Sequence, residues 1–368
     1  MGRAASSRSG GGGLFPRLGF EVPMPPVAVH FNGGVNLPDT TTVLRTLAER
    51  VPRGLRRLPD GETGERAQWI GYQRPRLEAT PGLELVAGEP GAEGPYGGGP
   101  TLRVSDATDP DRIAWPEIGY ASEYRASYAT FRELRAEGVV PADVRFQVEY
   151  PTPQAVSQLF HPADRPRITP SYERALLADL DRILAAVPHR DLAVQWDAAV
   201  ETVTADLAPE TLDEHSGQLA GLVDRVPGDV HAGVHLCYGD AGHEHMVEPE
   251  SLATQVRLAN AVVRRARRPL DWLSFTVPQY RADEAYFAPL ADLRTGPGTE
   301  LFFALVPYHP EEQAAGTTEA QVALVDRYLP GGSGPWGICT ECGMARADRA
   351  DVPRLLDLHR EILAQHSA

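Results

Sequence analysis

The chain contains no lysine: all 35 of its basic residues are arginine. That absence excludes whole classes of chemistry. No Schiff-base lysine, pyridoxal phosphate anchor or lysine-dependent phosphate loop can exist here. Cysteine is nearly as scarce, with three in 368 residues. So few thiols, and an odd number of them, argue against a disulfide framework and for a reducing cytoplasm. Long apolar runs are missing as well, none reaching the roughly 18 residues that a membrane span needs. The opening stretch MGRAASSRSGGGG lacks the apolar segment of a signal peptide, and residues 1–20 read as a disordered polar tail. It also fits the short pattern for N-myristoylation at Gly2, although a polar tail accounts for it more simply. Positive charge is in deficit too: the net charge of −15 argues against nucleic acid or an anionic membrane surface as a partner. Nothing in the pattern marks an exposed subunit interface.

With 42% hydrophobic residues the chain can bury a substantial core, and 368 residues suit a single α/β barrel. Short apolar runs alternate with longer helical patterns from about residue 25. Eight runs predict strands: Pro26 to Phe31, Leu55 to Leu58, Val144 to Tyr150, Leu192 to Trp196, Val230 to Cys237, Leu270 to Val277, Leu301 to Val306 and Trp336 to Cys339. Helical periodicity is clearest over Thr40 to Arg50, Ser171 to Ala186, Ser251 to Arg267, Glu319 to Tyr328 and Val352 to Ala364. Eight such units predict a (β/α)8 TIM barrel occupying residues 21–368 as one domain, with functional residues at the C-terminal ends of its strands. The Gly/Pro-rich stretch near 81–100 predicts an irregular surface excursion between the second and third strands.

Those strand ends are chemically rich. The second is followed by PDGETGER, with Asp60, Glu62 and Arg66; this is either an ordinary turn or a binding surface for a polar headgroup. Glu149 ends the third strand and Asp197 the fourth. The fifth supplies His235, Cys237, Tyr238 and Asp240, then His243 and His245 on a polar loop. The sixth leads to PQYR with Arg281, the seventh to PYHP with His309, and the eighth to CTECG with Cys339, Glu341 and Cys342.

All three thiols therefore fall in two short segments about a hundred residues apart, each following an apolar run. Residues two apart on a strand point to the same side, so His235 and Cys237 can converge on one metal. Thiolate and imidazole are the ligands zinc prefers, and three protein ligands with one open position is the catalytic pattern. The bland alternatives are that His235 and Cys237 are core residues with an incidental CxxC, or that the CxxC is a redox pair.

The runs VQWDAAVE, VHLCYGD and ICTECGMAR, in that order, resemble the C-terminal catalytic barrel of cobalamin-independent methionine synthase and its relatives. That superfamily also holds uroporphyrinogen decarboxylase and the epoxyalkane:coenzyme M transferases. The resemblance spans most of residues 25–365, with the fifth- and eighth-strand motifs its distinctive part. It implies a UROD/MetE-like TIM barrel with zinc on His235, Cys237 and Cys342. The zinc would lower the pKa of a substrate thiol, so that the thiolate attacks an alkyl carbon. Thr276 stands near the position of a glutamate ligand in methionine synthase, and Asp197-Ala198-Ala199 replaces an Asp-Glu-Pro. The fourth ligand is then left to Glu341, Cys339, His309 or the substrate itself.

The expected function is zinc-dependent transfer of a methyl or alkyl group from a small-molecule donor to a small-molecule thiol. Asp197, orienting a substrate amine or a ligand, and Tyr238 are the candidate catalytic groups. Substrate contacts are expected from Asp60, Glu62, Arg66, Glu149, Asp240, His243, Arg281 and His309, with arginine offering a bidentate fork to a carboxylate or phosphate. Three other readings stand beside it. One is a metal-free decarboxylase or lyase relying on Asp and Arg. Another is a non-catalytic binding protein that keeps zinc for stability, and the third is metal-assisted hydrolysis at His243 and His245.

Overall fold

The computed structural model describes residue 1 and residues 26–88, 99–241, 244–331 and 333–366. In chain order its strands are β1 (Ala28–Val29), β2 (Arg57–Pro59), β3 (Leu83–Val86), β4 (Thr101–Val104), β5 (Arg145–Pro151), β6 (Leu192–Ala198), β7 (His231–Leu236), β8 (Trp272–Phe275), β9 (Glu300–Ala304) and β10 (Trp336–Cys339). Eight of them, in the order β1-β10-β9-β8-β7-β6-β5-β2, form one curled sheet in which every pair is parallel. All eight predicted strands are in this sheet. Its two ends approach each other at a single parallel bridge between Val29 and Leu55, where the Val29 amide donates to the Gly54 carbonyl at 3.0 Å.

Helices cover the outside, and the expected ones form where their periodicity lies. Thr40–Arg50 starts at Asp39, whose side chain accepts the Thr42 amide at 2.8 Å, and buries Val43, Leu44, Leu47 and Ala48 on one face. The sequence reading missed Tyr120–Ala136. Its buried face is largely aromatic (Tyr120, Tyr124, Tyr128 and Phe131) and packs on the long helix Arg165–Ala186. No helix among the described residues is long and apolar enough to cross a membrane.

One expectation needs correction. The glycines and prolines near 81–100 do not keep that stretch irregular throughout. Leu83–Val86 is a strand and pairs antiparallel with Thr101–Val104 beyond it. The four residues LELV carry no glycine or proline and can form a ladder once a partner strand is in reach. Residues 89–98, and residues 2–20 of the predicted tail, lie outside the described residues.

Inside the sheet the two-residue period of the strands selects an inward layer of polar side chains. Gln147 and Glu149 come from β5, Gln195 and Asp197 from β6, His235 from β7 and Ser274 from β8, with Glu149 paired to Gln195, Asp197 to His235, and His235 to Ser274 in register. Beneath this layer Trp272 fills the interior, with the Arg57 guanidinium 4.2 Å from its ring centre. Gly233 makes room for it: a Cβ there would stand 2.1 Å from the indole. Gln195 ties the floor to the layer above by meeting His30 at 2.8 Å and donating to Asp197 at 2.9 Å.

Candidate metal centre

His235 lies on β7, Cys237 just past its end, and Cys342 in the turn after β10. Two strands separate β7 from β10 in the sheet, so only its curl brings these residues together. One ligand atom from each of the three lies within 4.8 Å of the others. Their protonation is interdependent. The Cys342 thiol hydrogen-bonds to Cys237 and, with the nearby His235, holds Cys237 well below the usual thiol range. The Gly239 amide adds a donor 3.3 Å from the Cys237 sulfur, with Gly239 at φ +94° turning it back. The same contact pushes the Cys342 thiol up. Burial lowers His235, but Cys237, Asp197 and Asp240 together outweigh it and raise the imidazole.

This donor set fits a zinc ion. Two thiols and an imidazole converge at one place, and buried His235 Nε2 has no hydrogen-bond partner among the described residues. A divalent cation would take the place of the protons these groups now share. The other candidate ligands are engaged elsewhere. Glu341 meets His245 Nε2 at 2.6 Å and accepts the Gln279 amide at 2.8 Å. The Cys339 thiol is fully buried 3.5 Å from Ser274 Oγ and is pushed up to about 12 by burial. Thr276 Oγ1 donates to the Leu236 carbonyl at 3.0 Å. His309 stands apart in a partly exposed group with Glu311 and Glu312.

A pocket of about 570 Å³, counting its open mouth, lies over the three ligands and is lined also by Asn32, Glu62, Trp69, Asp197, Asp240 and Arg346. The only two non-glycine residues at positive φ among those described, Glu62 at +46° and Trp69 at +52°, both line it. Such strain persists where the surroundings enforce it, and it concentrates at functional sites. Glu62 is 8% exposed, and its carboxylate has no hydrogen bond or ion pair among the described residues. Burial, then the nearby Asp197, push its pKa up to about 8. Asp197 itself is pushed up to about 7 by burial, against the charge of His235 and hydrogen bonds from Gln195 and Trp69. Asp240 is pushed to about 7 in the same way and pairs with Arg346 at 3.1 Å.

The remaining predicted residues scatter around this pocket. Asp60 and Arg66 form a buried ion pair at 2.6 Å behind it, and Asp60 also caps the Glu62 amide at 2.9 Å. Glu149 sits across Gly33 from Glu62; Gln147 holds one of its oxygens at 2.7 Å, and burial raises its pKa well above normal. Tyr238 is fully buried near His245 and does not line the pocket. Arg281 is held by Asp283 at 2.9 Å, away from the pocket. His243 lies outside the described residues. His245, expected on a polar loop facing substrate or solvent, is largely buried between Glu341 and Glu248. Sequence reasoning missed Asn32, Trp69 and Arg346. Asn32 and Arg346 had a usable signal, in HFNGG after the first strand and in ICTECGMAR after the eighth. Trp69, inside the 3-10 segment Gly64–Gln73, had none.

No family model matches the sequence, and no curated protein matches it. Among solved structures the fold is similar to that of a B12-independent methionine synthase from Shewanella sp. W3-18-1, solved in complex with selenomethionine. The TM-score is 0.60 at 12% identity, over 93% of this chain and 98% of that one. A methyltransferase from Methanosarcina mazei aligns over 93% of this chain and 95% of that one, at 14% identity and a TM-score of 0.45. At 12% identity the likeness to the synthase is one of fold, and it agrees with the family resemblance carried by the β7 and β10 motifs.

Proposed function

We propose that this chain is a zinc-dependent transferase that moves a methyl or alkyl group onto a small-molecule thiol. It would work from a closed (β/α)8 barrel that forms one domain over residues 21–368. The observation that carries the reading is the convergence of His235, Cys237 and Cys342 from two non-adjacent strands at the floor of a pocket. A bound zinc supplies Lewis acidity that keeps a substrate thiol deprotonated at neutral pH.

The chain's own residues do the rest. His235, Cys237 and Cys342 hold the ion, and with Glu341, Thr276 and Cys339 engaged elsewhere, the fourth position is left to substrate. This favours the catalytic over the structural type of site, which is closed by four protein ligands. Glu62 and Asp197, beside Trp69 and without a direct ion pair to an arginine among the described residues, suit a substrate ammonium. Binding that cation would bring both carboxylates back toward their ionised form. Asp240 is already committed to Arg346. Three unbridged thiols fit a reducing, cytoplasmic setting.

The test is to measure zinc stoichiometry and then the sulfur count around zinc by X-ray absorption, with and without candidate thiols. The expected result is one zinc with the sulfurs of Cys237 and Cys342, and one further sulfur when an acceptor thiol binds. Purified protein without stoichiometric zinc would sink the transferase reading and favour a metal-free lyase. Zinc that never gains a sulfur from any thiol would favour a structural site.

A further inference from the structure

Asn32, just past the end of β1, connects the two strands that would hold the metal. Its Nδ2 donates to the Thr340 carbonyl at 2.8 Å, and the Thr340 hydroxyl in turn donates to the Cys342 carbonyl at 2.5 Å. On its other side, Asn32 Oδ1 accepts from Ser274 Oγ at 2.9 Å. Ser274 Oγ lies 3.3 Å from His235 Nδ1 and 3.5 Å from Cys339 Sγ. All five side chains are buried.

The direction of each bond follows from the one before. A backbone carbonyl can only accept, so Asn32 must present its NH2 to Thr340 and its oxygen to Ser274. That oxygen takes the single hydroxyl hydrogen of Ser274, which leaves Ser274 Oγ only its lone pairs. Cys339, held as a neutral thiol by burial, can fill one as a donor. The other can only accept, so a neutral His235 must carry its hydrogen on Nδ1. Its Nε2, without a hydrogen-bond partner among the described residues, then bears a free lone pair.

We propose that Asn32 and Ser274 are positioning residues that fix His235 as its Nδ1–H tautomer and so offer Nε2 to the metal. This rests on the zinc reading above. Outer partners of this kind commonly change metal affinity 10–100-fold.

The experiment compares zinc affinity, by competition with a chromophoric chelator, for wild type, Ser274→Ala, Ser274→Thr and Cys339→Ala, alongside the thermal midpoint of each metal-free protein. The expected result is roughly 10–100-fold weaker binding for Ser274→Ala. Ser274→Thr and Cys339→Ala should stay within about threefold of wild type, because the first keeps the acceptor and the second removes only a donor to it. The metal-free midpoints should fall by only a few degrees, so that affinity is compared between folded proteins. Ser274→Ala binding zinc within about threefold of wild type, or Cys339→Ala losing as much as Ser274→Ala, would overturn the proposal. If Ser274→Ala does not fold, Asn32→Leu interrupts the same relay at its far end and is judged by the same threshold. Wild type that binds no zinc overturns the metal reading itself, and this proposal with it. That failure is visible before any substitution is made.

Discussion

Replacing Glu62 by glutamine should make the metal-free protein more stable, and increasingly so as pH rises. Glu62 is 8% exposed with no direct partner for its carboxylate among the described residues, and its pKa is raised from 4.5 to about 8 by burial and by Asp197, against Arg66 and Arg346. An acid whose pKa is higher when folded than when unfolded adds stability that is complete below the unfolded value. That stability is lost as pH rises through the folded value. Here the loss starts near pH 4.5 and is complete a little above pH 8. A titration confined to Glu62 would cost about 3 kcal/mol at pH 7 and about 5 kcal/mol above pH 8. Asp197 shares in the same protonation, so a gain of about 1–3 kcal/mol at pH 8 is the reasonable expectation for Glu62→Gln. Glutamine keeps the shape and removes the charge. The assay is urea unfolding of chelator-treated protein, followed by circular dichroism at about pH 5 and about pH 8. The variant should match wild type to within about 1 kcal/mol at the lower pH and exceed it at the higher one. Equal stability at both pH values, or a loss at the higher one, would refute the view that this carboxylate is buried without compensation. If Glu62 serves the pocket, the same variant loses activity while it gains stability, as expected of a residue kept for function.

Other predictions follow from the same geometry. Cys237→Ser should lose zinc yet stay folded, with stability changed by about 1 kcal/mol; unfolding of this variant in circular dichroism would mean that the ion is structural. Glu341→Gln should keep full zinc stoichiometry, because its carboxylate is held by His245 and the Gln279 amide; loss of metal would make Glu341 a ligand after all. Gly233→Ala should destabilise by about 1–3 kcal/mol through the clash of its Cβ with Trp272, measured by denaturant unfolding; an unchanged midpoint would contradict the packing described.

Much of the architecture is legible in the one-dimensional pattern. The apolar runs from Leu192, Leu301 and Trp336 became strands of the sheet, and Thr40–Arg50 and Val352–His366 are helices where their periodicity begins. Apolar spacing is a local property and survives without knowledge of neighbours. The strands Leu83–Val86 and Thr101–Val104 were not legible, because each exists through pairing with the other. The helix Tyr120–Ala136 was missed because aromatic residues carry much of its buried face.

The sequence alone determined the chemistry available to this protein. It has no lysine, only three thiols, and an HxC and a CxxC that each lie at the end of an apolar run. The two-residue period of β7 was enough to put His235 and Cys237 on one side. Only the tertiary structure decided which of the CxxC thiols joins them, because that choice depends on the sheet's curl between β7 and β10. It brings Cys342 to His235 and Cys237 and leaves Cys339 beside Ser274. Only the fold, likewise, could separate the acidic residues. Asp60 and Asp240 pair with arginines, whereas Glu62 and Asp197 face the pocket with no direct arginine ion pair among the described residues. Ligand types are a matter of composition and spacing, but distances between segments a hundred residues apart belong to packing.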